Sequence, residues 1–266
     1  MKEFSYARAA SLDEAAATFK AAGEARYLSG GQTLIPVLKQ RLASPTDLVD
    51  LAGVPGLDKI VATAHSISIG GMATHASVAA HAGILAAIPA LAELAGGIGD
   101  PHVRNRGTIG GSLANNDPAA DYPAAVLGLD AIVRTSKRQI AGDAFFAGLF
   151  TTALEEGEIL TGAEFAVPKR AGYVKFPHPA SRFCLVAVMV SEGPKGVRVA
   201  VTGAGQEGVF RVAAMESALA KSFTPAALDG IKVSPDNLLS DIHAQADYRA
   251  HLITVLAKRA VAKALA

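Results

Sequence analysis

The chain has 266 residues, half of them hydrophobic and 18% charged, with a formal net charge of +1. Such a composition supports one or two domains with a substantial core and excludes extended interior disorder. Near-neutral charge without a Lys/Arg block excludes a nucleic-acid footprint. The single cysteine, Cys184, excludes a disulfide framework, a Cys-based zinc site and an iron–sulfur ligand set within this chain. It lies in the apolar run Cys184–Val190, where a small buried residue is expected. The opening residues Met1–Tyr6 lack an export-type apolar stretch, and Gly83–Gly99 is interrupted by Pro89 and Glu93. The expectation is a cytoplasmic protein without a membrane span.

In chain order, Phe4–Ala7 reads as a strand, and Ser11-Leu12-Asp13-Glu14 has the capping-box form that opens a helix. Arg26–Leu28, a helix over Leu34–Leu42, and Leu48–Leu51 follow. The first 55 residues therefore read β-α-β-α-β, a small, mostly parallel unit. Strands are predicted at Ile60–Ala62 and Ser66–Gly70, helices at Thr74–Ala82 and Pro89–Leu94, and a hairpin at Ala131–Arg134 and Gln139–Ala141. A boundary is expected near Pro168–Gly172. Beyond it, Tyr173–Phe176, Leu185–Val190 and Val197–Thr202 predict a three-stranded antiparallel sheet. Helices at Met215–Ala220, Pro225–Ile231 and Ala246–Leu265 would form a bundle beside it. The fold class is α+β. Two domains are expected, an N-terminal one over 1–168 with subdomains 1–55 and 56–168, and a C-terminal one over 169–266.

Two segments carry the chemistry. Ser29-Gly30-Gly31-Gln32-Thr33 lies between a strand and a helix, and Thr108-Ile109-Gly110-Gly111-Ser112 follows Arg104-Asn105-Arg106-Gly107. Paired glycines allow positive φ and close backbone approach to a ligand. Free N–H groups at a helix start suit phosphate, and the Thr33, Thr108 and Ser112 hydroxyls add donors. One such loop alone reads as a plain turn; two suggest a diphosphate held from both sides. Neither ends in the Gly-Lys-Ser/Thr of a P-loop. Gly203-Ala204-Gly205-Gln206-Glu207-Gly208 fits G-x-G-x-x-G, but Val209–Val212 looks extended where a dinucleotide fold needs a helix. A turn between strands is the better reading.

These residues resemble the FAD-binding medium subunits of molybdenum hydroxylases, the flavoprotein family of carbon monoxide dehydrogenase and xanthine dehydrogenase. The likeness rests on Ser29–Pro36, Arg104–Ala114, Asn116–Asp121 with Pro123-Ala124, Tyr173–Phe176 and Tyr248-Arg249. It implies FAD as the cofactor. Leu28, Ser29, Gly30, Gly31, Gln32, Thr33, Leu34 and Ile35 would wrap its phosphates on one side, and Thr108, Ile109, Gly110, Gly111 and Ser112 on the other. Ile98 would lie against the cofactor, Asp121 would be an acidic contact, Leu160 an apolar contact near the ring, and Lys175 a cation beside the flavin. From the residues alone, Asp121 reads equally as a helix N-cap, and Lys175 reads as a solvated strand residue. Phe183 is either a cover for the flavin or a core residue, and His75 has a structural or interface role. Arg182 departs from the acidic residue common at its position.

The resemblance further implies an electron-relay subunit with no acid–base pair of its own. A large molybdopterin-binding partner would hydroxylate the substrate, and a small partner would carry two [2Fe–2S] clusters. FAD would pass electrons to an external acceptor, within a dimer of heterotrimers. Two alternatives stand beside it: a self-sufficient flavin oxidoreductase, and a non-catalytic dinucleotide-binding assembly module.

Overall fold

The computed structural model describes residues 1–266. Its first sheet is parallel, with Asp47–Asp50 central between Ser5–Arg8 and Ala25–Leu28. The predicted cap forms with its return bond shifted by one residue: Ser11 Oγ accepts from Glu14 N at 3.1 Å, and Glu14 Oε2 accepts from the N–H of Ala10, just before the cap, at 2.7 Å. The helix Leu12–Ala21 connects two strands that both pair parallel with the central one. The second helix, Leu34–Lys39, is shorter than its apolar pattern suggests, because Arg41 takes a left-handed φ of 60°.

The middle of the chain is built on an antiparallel five-stranded sheet, in the order Ile60–Ala62, Ser66–Gly70, Leu160–Ala166, Ile132–Thr135, Gln139–Ala141. Its central strand, Leu160–Ala166, is invisible to period-two reading. The ladder shifts register between Leu160 and Gly162, which breaks the alternation. Short helices pack on this sheet, among them His75–Ala80, Pro89–Gly96, Ile109–Asn115 and Tyr122–Gly128.

The C-terminal sheet has four strands rather than three: Arg170–Pro177, Cys184–Gly193, Gly196–Gly205 and Gly208–Arg211. Gln206-Glu207 makes the turn between the last two, so the G-x-G-x-x-G segment is a hairpin. In place of a bundle, the helices spread over one face of this sheet. Pro225–Leu228 is only a 3-10 turn, and Ala246–Leu265 is the one long helix. A Cβ on Gly172 would collide with the Ala260 carbonyl, so glycine there lets helix and sheet touch.

Alternation decides what each face does. Val186, Val188 and Val190 join Val199, Val201 and the long helix in one core. Ala187 and Met189, on the opposite face, join the core of the middle region, together with Tyr173 and Cys184. Gly128 abuts Met189, and Ser191 Oγ donates to Gly128 O at 2.6 Å. The C-terminal sheet is therefore covered on both faces. Tyr173 and Lys175 share the face turned toward the middle region, while Val174 and Phe176 pack on the other. No helix is long and apolar enough to cross a membrane.

Arg249 fastens the long helix to the sheet. It is 2% exposed and donates to Leu185 O at 2.6 Å, Gly203 O at 2.9 Å and Asp241 Oδ2 at 2.8 Å. Replacing it with Met strands both carbonyls, so Arg249→Met is expected to cost about 3 kcal/mol of unfolding free energy. Urea denaturation followed by far-ultraviolet circular dichroism checks this.

Candidate cofactor site

The two glycine loops, far apart in sequence, meet in space. A Cβ on Gly30 would collide with the carbonyl of Arg106 and stand 2.8 Å from Gly107 Cα, so the loops pack backbone to backbone. Ser29 Oγ lies 2.7 Å from Thr108 Oγ1, and Ser29 Oγ also donates to Met72 Sδ at 2.9 Å. Gly31 adopts φ 72°, which turns the chain out of its strand and into the helix Leu34–Lys39.

The loops differ in what they leave free. Along Ser29–Leu34 the backbone N–H groups bond no acceptor of the chain; the first amide with a partner is Ile35 N, which donates to Gly31 O at 3.0 Å. Thr33 precedes the helix without capping it. A run of unpaired, half-exposed donors at a helix start fits an anionic diphosphate. In the second loop the amides are already engaged. Ile109 N donates to Ala73 O at 3.1 Å, Gly110 N to Gly71 O at 2.9 Å, and Ser112 N to Thr108 O at 3.0 Å. Gly111 N donates to Thr108 Oγ1 at 3.0 Å. Gly110 is needed because a Cβ there would lie 2.5 Å from Gly71 O. The second loop is thus a pinned wall, and the first supplies the open donors.

A second cluster lies at the Tyr122–Gly128 helix. The Asp121 carboxylate is 4% exposed and does not cap that helix. It accepts from Tyr173 Oη at 2.5 Å and from Lys175 Nζ at 2.9 Å. Lys175 Nζ also donates to Gly97 O at 3.2 Å, beside half-buried Ile98. Arg104 Nη1 donates to both Ile98 O and Gly99 O at 3.0 Å and holds that segment in place. Burial pushes the Asp121 carboxyl above its ordinary range, partly offset by Lys175 and Tyr173. Lys175 is therefore a buried, paired cation rather than a solvated one. Leu160 is 7% exposed, and its carbonyl abuts Gly71, the residue whose own carbonyl pins Gly110. Phe183 is 57% exposed and no part of the core.

Several residues around the site escape sequence reading. Met72 acts through one hydrogen bond and Arg104 through two, and no sequence pattern announces them. Tyr173 was legible in principle, since strand alternation places it on the Lys175 face. His75 is 5% exposed, with its N–H on Gly107 O at 2.9 Å and its ring 5.4 Å from that of Tyr122.

Residues 2–169 match the family model described as the FAD binding domain in molybdopterin dehydrogenase. The chain belongs to the FAD-binding medium-subunit family of molybdenum hydroxylases. It is 32% identical to the nicotine 6-hydroxylase medium subunit of Paenarthrobacter nicotinovorans, covering 97% of this chain and 96% of that one. It is 31% identical to the carbon monoxide dehydrogenase medium chain of Hydrogenophaga pseudoflava, at the same coverages. The solved carbon monoxide dehydrogenase from H. pseudoflava superposes with a TM-score of 0.89 at 30% identity, covering 99% of this chain and 98% of that one. Quinoline 2-oxidoreductase from Pseudomonas putida 86 gives 0.88 at 29% identity, again covering 99% and 98%.

As a family flavoprotein subunit, the chain should lose FAD affinity when its loops are forced apart. Gly30→Ala is expected to weaken FAD binding at least tenfold, about 1.4 kcal/mol, in a flavin-fluorescence titration, with the far-ultraviolet spectrum unchanged. A second expectation concerns acid. Burial, then the charge of Arg104, pushes the His75 imidazole down to about 4 from an ordinary 6.5. An unfolded chain protonates first, so this contribution is constant above about pH 6.5 and stability falls as the pH drops toward 4. The loss is on the order of 3 kcal/mol. Urea midpoints measured across that window should fall less steeply for His75→Gln.

Proposed function

We propose that this chain is the FAD-carrying electron-transfer subunit of a molybdenum hydroxylase complex. The observation that carries the reading is the run of unpaired amide donors over Ser29–Leu34, backed by a second glycine loop at hydroxyl-bonding distance. On this reading Leu28–Ile35 hold the diphosphate and Thr108–Ser112 form the wall behind it. Ile98 and Leu160 contribute apolar surface toward the ring, and Asp121 and Lys175 set the charge beside it. FAD, when bound, supplies the capacity to take single electrons and release a pair.

The chain's own task is to bind, orient and tune. Open amides offset the diphosphate charge without a Lys or Arg in either loop. The Lys175–Asp121 pair places a cation beside the ring while limiting its net field, since the carboxylate lies 2.9 Å away. Arg104 and Gly97 fix the segment that presents Ile98. The partners proposed are a large molybdopterin-binding subunit and a small subunit with [2Fe–2S] clusters, assembled as a dimer of heterotrimers, with electrons leaving to an external acceptor. Residues 1–168 would form the FAD-binding domain and 169–266 the C-terminal flavoprotein domain. Names of the relatives support this assembly, several being medium subunits or chains of dehydrogenases.

The test is anaerobic reconstitution with the molybdenum and iron–sulfur subunits, followed by addition of the organic substrate. Bleaching of the flavin absorption only when both partners are present is the expected result. In Lys175→Met, which removes the cation, the flavin should become harder to reduce by tens of millivolts, about 1.4 kcal/mol per 30 mV for a two-electron couple. Flavin reduction by substrate with this chain alone would instead mark a self-sufficient oxidoreductase.

A further inference from the structure

Segment 155–161, which no part of the proposed cofactor chemistry uses except Leu160, touches the supports of both glycine loops. At its centre is Glu158, whose side chain is completely buried. Its carboxylate accepts from Thr135 Oγ1 at 2.6 Å, from Arg138 Nε and Nη2 at 3.1 Å each, and from Glu155 N at 2.8 Å. The next residue is clamped as well: Ser136 N donates to Ile159 O at 2.8 Å, and Ile159 N to Ser136 Oγ at 3.1 Å. The segment is thereby locked to the hairpin of the five-stranded sheet.

From this lock, contacts run in two directions. Toward the N-terminal unit, Gly157 O accepts from Tyr27 Oη at 3.1 Å, and Ile159 is buried in the N-terminal core. Tyr27 stacks on Phe19 at 4.6 Å and leads directly into Leu28-Ser29-Gly30. Toward the middle unit, Thr161 O accepts from Gly71 N at 2.8 Å, and Gly71 O accepts from Gly110 N at 2.9 Å. The loops also meet through the Ser29–Thr108 hydroxyls, the Gly30 backbone contact and the bond of Ser29 Oγ to Met72 Sδ, next to Gly71. The 155–161 segment is a strut from beneath, rigid in proportion to the bonds on Glu158.

We propose that Glu158, held by Arg138 and Thr135, is a positioning residue that sets the spacing of the two glycine loops and so the affinity for FAD. The inference rests on the reading of those loops as the FAD diphosphate site. Burial alone would raise the carboxyl, but the hydrogen bonds of Arg138, Glu155 N–H and Thr135 outweigh it and hold it down to about 2. The strut is thus ionised and intact throughout the working pH range.

Glu158→Gln keeps the shape but removes the charge that Arg138 grips, and Arg138→Gln removes the grip itself. In the full chain, flavin-fluorescence titration should show FAD affinity reduced tenfold or more for each, with the double variant little worse than either. Hydrogen exchange in the unliganded chain should speed up at Gly71 and Gly110 while the C-terminal sheet stays protected. The idea fails if exchange rises only within 155–159, or if FAD affinity matches that of the unmodified chain while the melting temperature falls. Should the unmodified chain itself bind no FAD, the cofactor reading falls, and the exchange at Gly71 and Gly110 still decides whether the strut reaches the loops.

Discussion

Gly30 rests on the Arg106 carbonyl and Gly107 Cα because it carries no Cβ, and the Ser29 and Thr108 hydroxyls close the gap at 2.7 Å. The rest of the molecule is arranged around that contact. The parallel unit delivers Ser29–Leu34 at the carboxyl end of its strand, where ligands of parallel sheets bind. The five-stranded sheet delivers Thr108–Ser112 by pinning its amides to Gly71 and Ala73. If either loop stood back by the width of a methyl group, the open donors would face solvent instead of a shared surface.

The division of labour between the loops has an electrostatic logic. Unpaired amides carry partial positive charge without mobile counterions, so they offset a diphosphate at little reorganisation cost. A second loop with equally open amides would leave its own backbone unsatisfied wherever the cofactor did not reach. Spending those donors on Gly71 and Ala73 turns the second loop into scaffold. The charges of Asp121 and Lys175 beside the proposed ring position are paired with each other, which makes their burial tolerable.

Much of this was legible from residue order. The β-α-β-α-β start, the capping box at Ser11, both glycine loops and the hairpin nature of Gly203–Gly208 follow from local chemistry, and local chemistry is preserved in the fold. What was not legible depends on long-range partners. The central strand Leu160–Ala166 is hidden by its bulge at Gly162, and Val209–Val212 looks extended without announcing that Gly208–Arg211 forms a fourth strand of the sheet. The supposed bundle spreads over one sheet face because the long helix finds its partner in Gly172. Asp121 was as much a cap as a contact until Tyr173 and Lys175 were seen to claim its carboxylate. Glu158 sat in plain view beside Leu160, yet nothing in Glu-Ile-Leu-Thr announces the four donors that converge on it.

The most direct measurement is the visible absorption spectrum of the purified full chain after incubation with FAD and desalting. Two facing glycine loops with open amides predict equimolar retained flavin whose bands bleach with dithionite. A chain that is folded by circular dichroism yet emerges colourless would contradict the account at its centre.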